Sequence, residues 1–147
     1  MMHAILAILL SLFAMSADAV SVYKQPAVKI TYTEAGVTVG VTTMIRTNVI
    51  PYGMSDTLVV HITNNTAYDQ DWNISINERG TGLVSTQFTP DTGCDGPLLA
   101  HATCTVNVTF TPAVPSPDGL VVTDDEDFFI DRAGAVYKQY IIRGLSN

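Results

Sequence analysis

Apolar and polar residues alternate along much of this chain, with the period of two that β-strands show when one face is buried. The clearest sets of alternating apolar residues are Val28, Ile30 and Tyr32; Val37, Val39 and Val41; Leu58, Val60 and Ile62; Trp72, Ile74 and Ile76; and Val106, Val108 and Phe110. The pattern predicts strands that each place one face against a core and the other in water.

Shorter apolar segments predict further strands at Val84 to Phe88, Leu120 to Val122, Phe128 to Ile130 and Val136 to Ile142. Turn residues separate the strands, and the acidic run Asp124-Asp125-Glu126-Asp127 is interpreted as a loop between two of them. Short strands with one apolar face bury that face by packing two antiparallel sheets together. We therefore expect an all-β sandwich of about seven to nine strands.

The first 19 residues have a different character. An apolar stretch from Ala4 to Met15 precedes Ala17-Asp18-Ala19, a small-residue pattern that signal peptidase recognises. We expect residues 1–19 to be a cleaved signal peptide, residues 20–147 to form a single domain, and the protein to be periplasmic or secreted. An uncleaved amphiphilic tail is the alternative, because only His3, and no Lys or Arg, precedes the apolar stretch.

Charge and hydropathy narrow the range of partners. The chain has 14 acidic and 7 basic residues and a net charge of −7. Such an acidic chain is a poor ligand for nucleic acid, whose phosphates require a basic surface. The apolar stretch near the start is about half of the ~20 residues that span a bilayer, so we expect no stable membrane span.

The chain's two cysteines, Cys94 and Cys104, stand on either side of a short turn segment. In an exported chain they predict one disulfide, which would clamp a β-hairpin-like connection and stabilise the fold by about 3 kcal/mol for a loop of about 11 residues. A redox pair is the alternative, but the spacing lacks the Cys-x-x-Cys pattern that tunes thiolate pKa.

Two segments carry a family resemblance. In the first, the strand from Thr57 to Thr63 ends at Asn64; in the second, Cys94 and Cys104 precede an alternating strand that ends in Phe110-Thr111-Pro112, and Gly144 follows near the end of the chain. This pattern resembles the immunoglobulin-like domains of the ASPM-SPD-2-Hydin type, also met in bacterial choice-of-anchor repeats. The resemblance implies an immunoglobulin-like antiparallel β-sandwich that serves scaffolding and docking, with no catalytic residues shared across the family.

No motif for catalysis, a cofactor or a resident metal is evident. The chain lacks a Gly-x-Ser-x-Gly elbow, and neither His61 nor His101 has a second His or Cys at metal-ligand spacing. Strand alternation places His61 on the solvent side. The acidic run, with Asp118 and Asp131 nearby, offers oxygen ligands for Ca²⁺ without the spacing of an EF-hand. We therefore interpret the run as a solvated loop that discourages edge pairing, with a calcium site or a docking patch for a basic partner as the alternatives.

Aromatic residues offer one more hypothesis. Trp72, Tyr68 and Tyr52 would suit sugar stacking if they formed a platform, but Trp72 shares the alternating face of Ile74 and Ile76, which predicts that it is buried.

We therefore expect a non-enzymatic structural or adaptor module that contacts other envelope or secreted proteins. A subunit of an oligomer or a larger bacterial envelope assembly, such as a secretion system or pilus, is the preferred form. The candidate contact sites are an exposed sheet edge at Val28 to Tyr32, the loop that contains Tyr52, and the acidic residues Asp124, Asp125, Glu126 and Asp127. A carbohydrate- or calcium-dependent surface-binding module is the alternative.

Overall fold

A computed structural model describes residues 28–34, 37–91, 93–115, 120–132 and 135–147. The proposed signal peptide lies outside these ranges, so its cleavage and the extent of the domain stay predictions. The described residues contain no helix, and therefore none long and apolar enough to cross a membrane. They form ten strands: β1 (Val28–Glu34), β2 (Val37–Val41), β3 (Met44–Ile50), β4 (Asp56–Asn64), β5 (Gln70–Glu78), β6 (Phe88–Pro90), β7 (Gly96–Leu98), β8 (Thr103–Phe110), β9 (Val122–Arg132) and β10 (Ala135–Ser146).

The strands form two five-stranded sheets that pack face to face. Sheet A has the order β2-β1-β4-β8-β6 and is antiparallel throughout. Sheet B has the order β3-β10-β9-β5-β7, in which only the β3 and β10 pair is parallel. The predicted all-β sandwich is confirmed, with ten strands in the described part of the chain.

The core lies between the sheets and contains most of the residues that the alternation pattern predicted, together with Ile45 and Ile50 of β3. Val60 and Val106 in sheet A and Phe128 and Ile130 in sheet B are fully buried. Phe88 and Phe110 stack with ring centroids 4.6 Å apart, and this pair closes the core at one end of sheet A. Each side chain of this kind contributes about 1.5 to 3 kcal/mol when it leaves water.

The structure corrects three strand predictions. The acidic run is not a loop, because Asp124 to Asp127 belong to β9, a single strand that replaces the two predicted on either side of the run. The strand expected at Val84 to Phe88 begins only at Phe88, and Val84 forms an isolated bridge with Asn77.

The alternation pattern also missed β3. Its residue Thr47 is polar but buried, and the two residues that follow it are both exposed, which breaks the period of two. The irregular spacing occurs where the pairing with β10 shifts register, and there the Thr47 hydroxyl accepts a hydrogen bond from the Leu145 backbone N–H at 3.0 Å.

The predicted disulfide between Cys94 and Cys104 is present, with the two Cα atoms 5.3 Å apart. The hairpin interpretation of the segment between them is wrong. The cysteines lie just before β7 of sheet B and within β8 of sheet A, so the two strands of the expected hairpin belong to different sheets. Cys94 lies outside the strands, in the connection from β6 of sheet A to β7 of sheet B, so the disulfide anchors this connection to β8.

The expected sheet edge at Val28 to Tyr32 is also wrong. This segment belongs to β1, which pairs with β2 on one side and with β4 on the other. The strands at the sheet edges are β2 and β6 in sheet A and β3 and β7 in sheet B.

Candidate functional site

Three connections meet at one end of the sandwich. The connection from β3 to β4, the connection from β5 to β6 and the connection from β8 to β9 all lie there, because Asp56, Phe88 and Phe110 pair across sheet A at the strand ends that these loops adjoin. We call residues 51–55, 80–87, 111–115 and 120–121 the loop end. These described residues include no Asp, Glu, Lys, Arg or His, although Arg79 directly precedes residue 80 in the connection from β5 to β6.

Hydrogen bonds hold the three loops together. The Ser55 and Thr111 hydroxyls are 2.7 Å apart, which joins the first loop to the third. The Thr111 backbone N–H donates to the Gln87 carbonyl at 2.8 Å, and the Ala113 N–H donates to the Gln87 side chain at 3.2 Å. The Tyr52 N–H donates to the Asn147 carbonyl at 3.0 Å. These bonds give the loop end a defined shape.

Large apolar side chains are concentrated at the loop end. The described residues include eleven such side chains that are exposed, and seven of them lie here, each 49% to 78% accessible: Tyr52, Met54, Leu83, Val84, Val114, Leu120 and Val121. Exposed apolar surface concentrated in one region is typical of an interaction site. The sequence predicted Tyr52 as a contact residue but not the other six. Apolar residues within turn segments rich in Gly and Pro could have indicated them.

The four acidic residues of β9 do not converge on one site. Asp124 and Glu126 share the face that points toward the core, whereas Asp125 and Asp127 share the outer face, since neighbouring strand residues point to opposite sides. Glu126 is only 4% exposed and is not on the surface. A calcium site or a docking patch built from all four carboxylates does not fit this arrangement.

The two outer carboxylates of the acidic run, Asp125 and Asp127, each face an arginine. Arg143 donates two hydrogen bonds of 2.6 Å to the two oxygens of Asp125, and these bonds hold the pKa of that carboxyl below its usual value. Asp127 lies 3.9 Å from the Arg79 guanidinium. Arg79 and Asp127 also line a shallow cleft of about 260 Å³ on this face, together with Thr42, Thr43, Gln139, Tyr140 and Ile141. The two charged side chains of the cleft, Arg79 and Asp127, thus face each other.

The aromatic platform is not formed. Trp72 is 1% exposed and stacks on Tyr137 with ring centroids 6.2 Å apart, which confirms its predicted burial. Tyr52 precedes β4 and Tyr68 follows it, so these exposed rings lie at opposite ends of the sandwich.

The histidines are apart from each other. His61 lies on the outer face of sheet A, as predicted, where its Nδ1 is 3.0 Å from the Thr105 hydroxyl. His101 is exposed in the turn between β7 and β8, with a φ of 61°. The described residues contain no group of three or more His, Cys, Asp or Glu side chains arranged to hold a metal ion.

Comparisons with known proteins support the fold. No protein-family model matches the sequence, and no curated protein matches it at a significant level. Among solved structures, an ASH / PapD-like domain of human CEP192 (PapD-like domain 7) superposes with a TM-score of 0.50 at 14% identity, over 90% of this chain and 95% of that domain. Two further structures have lower TM-scores. The Vibrio cholerae VesB protease gives 0.46 at 16% identity, over 71% of this chain and 30% of that one, and the periplasmic chaperone SfaE gives 0.45 at 13% identity, over 69% and 53%. At such identities the likeness concerns the fold, and the resemblance to immunoglobulin-like domains of the ASPM-SPD-2-Hydin type is confirmed at that level.

Proposed function

We propose that this chain is an exported, non-enzymatic structural or adaptor module that binds another protein through the loop end. The observation that carries the proposal is the set of seven exposed apolar side chains in the loop end, whose residues belong to three hydrogen-bonded loops and are themselves uncharged. The finer form of the proposal is a subunit of a bacterial envelope assembly such as a secretion system or pilus. The signal-like residues 1–19 and the disulfide are compatible with it.

Magnitudes support binding by such a surface. Transfer of one large apolar side chain from water into an interface contributes about 1.5 to 3 kcal/mol, and association costs about 4 to 15 kcal/mol in lost freedom. Burial of most of the seven side chains is therefore sufficient for a specific complex, provided that the loops are already ordered. The hydrogen bonds from Thr111 and Ala113 to Gln87 provide that order.

Site-specific photo-crosslinking in cells that make the protein tests the proposal. A photoreactive amino acid is placed at Met54, Val84 or Val114 in separate variants, and at Thr105 as a control, since Thr105 is exposed on the outer face of sheet A. We expect the loop-end positions to crosslink to one and the same protein and Thr105 to give no such adduct. Equal adducts from Thr105, or no adduct from any loop-end position, would contradict the proposal.

Binding of the purified crosslinked partner then provides a quantitative test. Val84→Asp or Val114→Asp places a charge in the apolar surface and is expected to weaken binding at least tenfold, whereas Thr105→Asp leaves the affinity unchanged. Both loop residues are largely exposed, so the variants are expected to fold, and circular dichroism checks this. Unchanged affinity in both loop-end variants would place the binding site elsewhere.

A further inference from the structure

The four edge strands differ in how well they resist pairing with another chain. Native sheets protect their edges by short strands, prolines and charged side chains. β6 and β7 have three residues each and contain Pro90 and Pro97, and β3 carries the exposed Arg46. β2 has five residues, Val-Thr-Val-Gly-Val, without a proline or a charge. It is the one edge strand in the described part of the chain that has none of these protections.

We infer that β2 of one copy pairs antiparallel with β2 of a second copy. A two-fold axis at Val39 brings residue 37 opposite residue 41 and residue 38 opposite residue 40. The two copies of sheet A then join into one continuous sheet of ten strands. This interface is isologous, as is typical of two-fold dimers.

The sequence of β2 is complementary to itself in this register. Thr38 of each copy lies opposite Gly40 of the other, so the larger residue faces the residue without a side chain. A Cβ atom built on Gly40 has no neighbouring atom within 4 Å, and both residues are exposed, so this part of the edge is open to a second strand. No pair in the register brings like charges together.

The distribution of charge in the two sheets favours a second copy at this edge. None of the strand residues on the outer face of sheet A is an aspartate or a glutamate. These residues are Lys29, Thr31, Thr33, Thr38, Gly40, Thr57, Val59, His61, Thr63, Thr89, Thr103, Thr105, Asn107 and Thr109. The outer face of sheet B, in contrast, carries Asp125, Asp127 and Asp131. Two chains of net charge −7 repel each other least where their nearest surface is uncharged.

The pairing has a geometric consequence for the loop end. Because the two β2 strands run in opposite directions, the two loop ends of the dimer point in opposite directions. If the loop end binds a partner as proposed above, one dimer bridges two partners. The dimer itself does not depend on that function.

Sedimentation equilibrium of the purified protein, with the disulfide intact, tests the inference. We expect a reversible dimer of the wild type within a range up to about 100 µM. Gly40→Lys adds a charge at the edge where the monomer has open space, so it is expected to weaken the dimer at least tenfold without a change in the thermal unfolding of the monomer. Thr105→Lys, on β8 of the same sheet and away from the β2 edge, is the matched control and remains dimeric.

Disulfide trapping tests the register. In the double variant Thr38→Cys/Gly40→Cys, each new cysteine lies opposite the other position of the second copy, at a separation that suits a disulfide. We expect covalent dimers on a non-reducing gel, and no such dimers from Thr38→Cys/Thr105→Cys. A wild type that stays monomeric throughout the range, or a Gly40→Lys variant that dimerises like the wild type, would overturn the inference. Since the loop-end residues are unchanged in these variants, failure here leaves the crosslinking test of the proposed function intact.

Discussion

Glu78 and Glu126 lie directly opposite each other on the neighbouring strands β5 and β9. Glu126 is 4% exposed, and its Oε2 atom has no hydrogen-bond partner. Burial raises the pKa of Glu126; a hydrogen bond with Ser85 opposes the shift, and the charges of Glu78, Asp124 and Asp127 add to it. Like charges in opposite positions on paired strands destabilise a sheet. The ionised form of Glu126 is therefore disfavoured in the folded protein.

This arrangement predicts a dependence of stability on pH. A carboxyl whose pKa is higher in the folded than in the unfolded protein contributes its full stability below the unfolded pKa of about 4.5. This contribution is lost as pH rises through the folded pKa. Glu126→Gln removes the loss, so we expect a variant that is more stable than wild type at pH 7 by about 1 kcal/mol or more, with little difference at pH 4. Urea denaturation at the two pH values measures this. A variant that is less stable than wild type at pH 7 would contradict the prediction.

The pair Asp125 and Arg143 predicts the opposite dependence at lower pH. The hydrogen bonds from Arg143 lower the pKa of Asp125 in the folded protein. The stabilising contribution of Asp125 is therefore present above its ordinary pKa of 3.8 and is lost as pH falls through its folded pKa. Because the pair is partly exposed, we expect Asp125→Asn to cost about 1 kcal/mol at pH 7 and little at pH 2. The same cost at both pH values would show that the charge of Asp125 is not the cause.

The disulfide between Cys94 and Cys104 predicts a loss of stability on its removal. It closes a loop of about 11 residues, which corresponds to about 3 kcal/mol in the chain-entropy model. We expect Cys94→Ala/Cys104→Ala to unfold at a clearly lower urea concentration than the oxidised wild type. Wild type reduced with dithiothreitol is the control and is expected to resemble the variant. If variant and oxidised wild type had the same midpoint, the disulfide would contribute nothing to stability.

Gly144 predicts a steric requirement at the core. A Cβ atom at this position would overlap the ring of Phe110, which stacks on Phe88. We expect Gly144→Ala to destabilise the fold by about 1 to 3 kcal/mol, as overpacking of a core does. Gly40→Ala is the matched control, since a Cβ there has open space, and its unfolding free energy is expected to differ little from wild type. Equal effects of the two substitutions would exclude the clash as the cause.

Much of sheet A was predictable from the sequence because its strands follow one simple pattern. From Leu58 to Ile62 in β4 and from Val106 to Phe110 in β8, each second residue is Leu, Val, Ile or Phe and is fully or almost fully buried, so the period of two corresponds directly to the two faces of the strand. The same pattern predicted the burial of Trp72. Where the pattern fails, as at Thr47 in β3, a polar side chain faces inward because a backbone N–H from β10 is available to it.

The acidic part of β9 was not predictable in this way. Aspartate and glutamate are rare in strands, so a run of four predicts a loop. In the folded chain the strand persists because β10 pairs with it along its length and β5 pairs with it from Glu126 onward. Arg143 and Arg79 compensate the carboxylates of Asp125 and Asp127. These arginines are distant in sequence, so no local pattern contains the compensation.

The sequence by itself determined the all-β class, the inward faces of the regular strands and the single disulfide, since each follows from neighbouring residues or from the number of cysteines. Only the tertiary structure decided which strands form the edges, that the disulfide anchors the β6–β7 connection to β8, and that Tyr52 shares one end of the sandwich with six other exposed apolar residues. Strand order and the meeting of loops depend on pairing between residues far apart in the chain. Alternation along one strand carries no information about its neighbours.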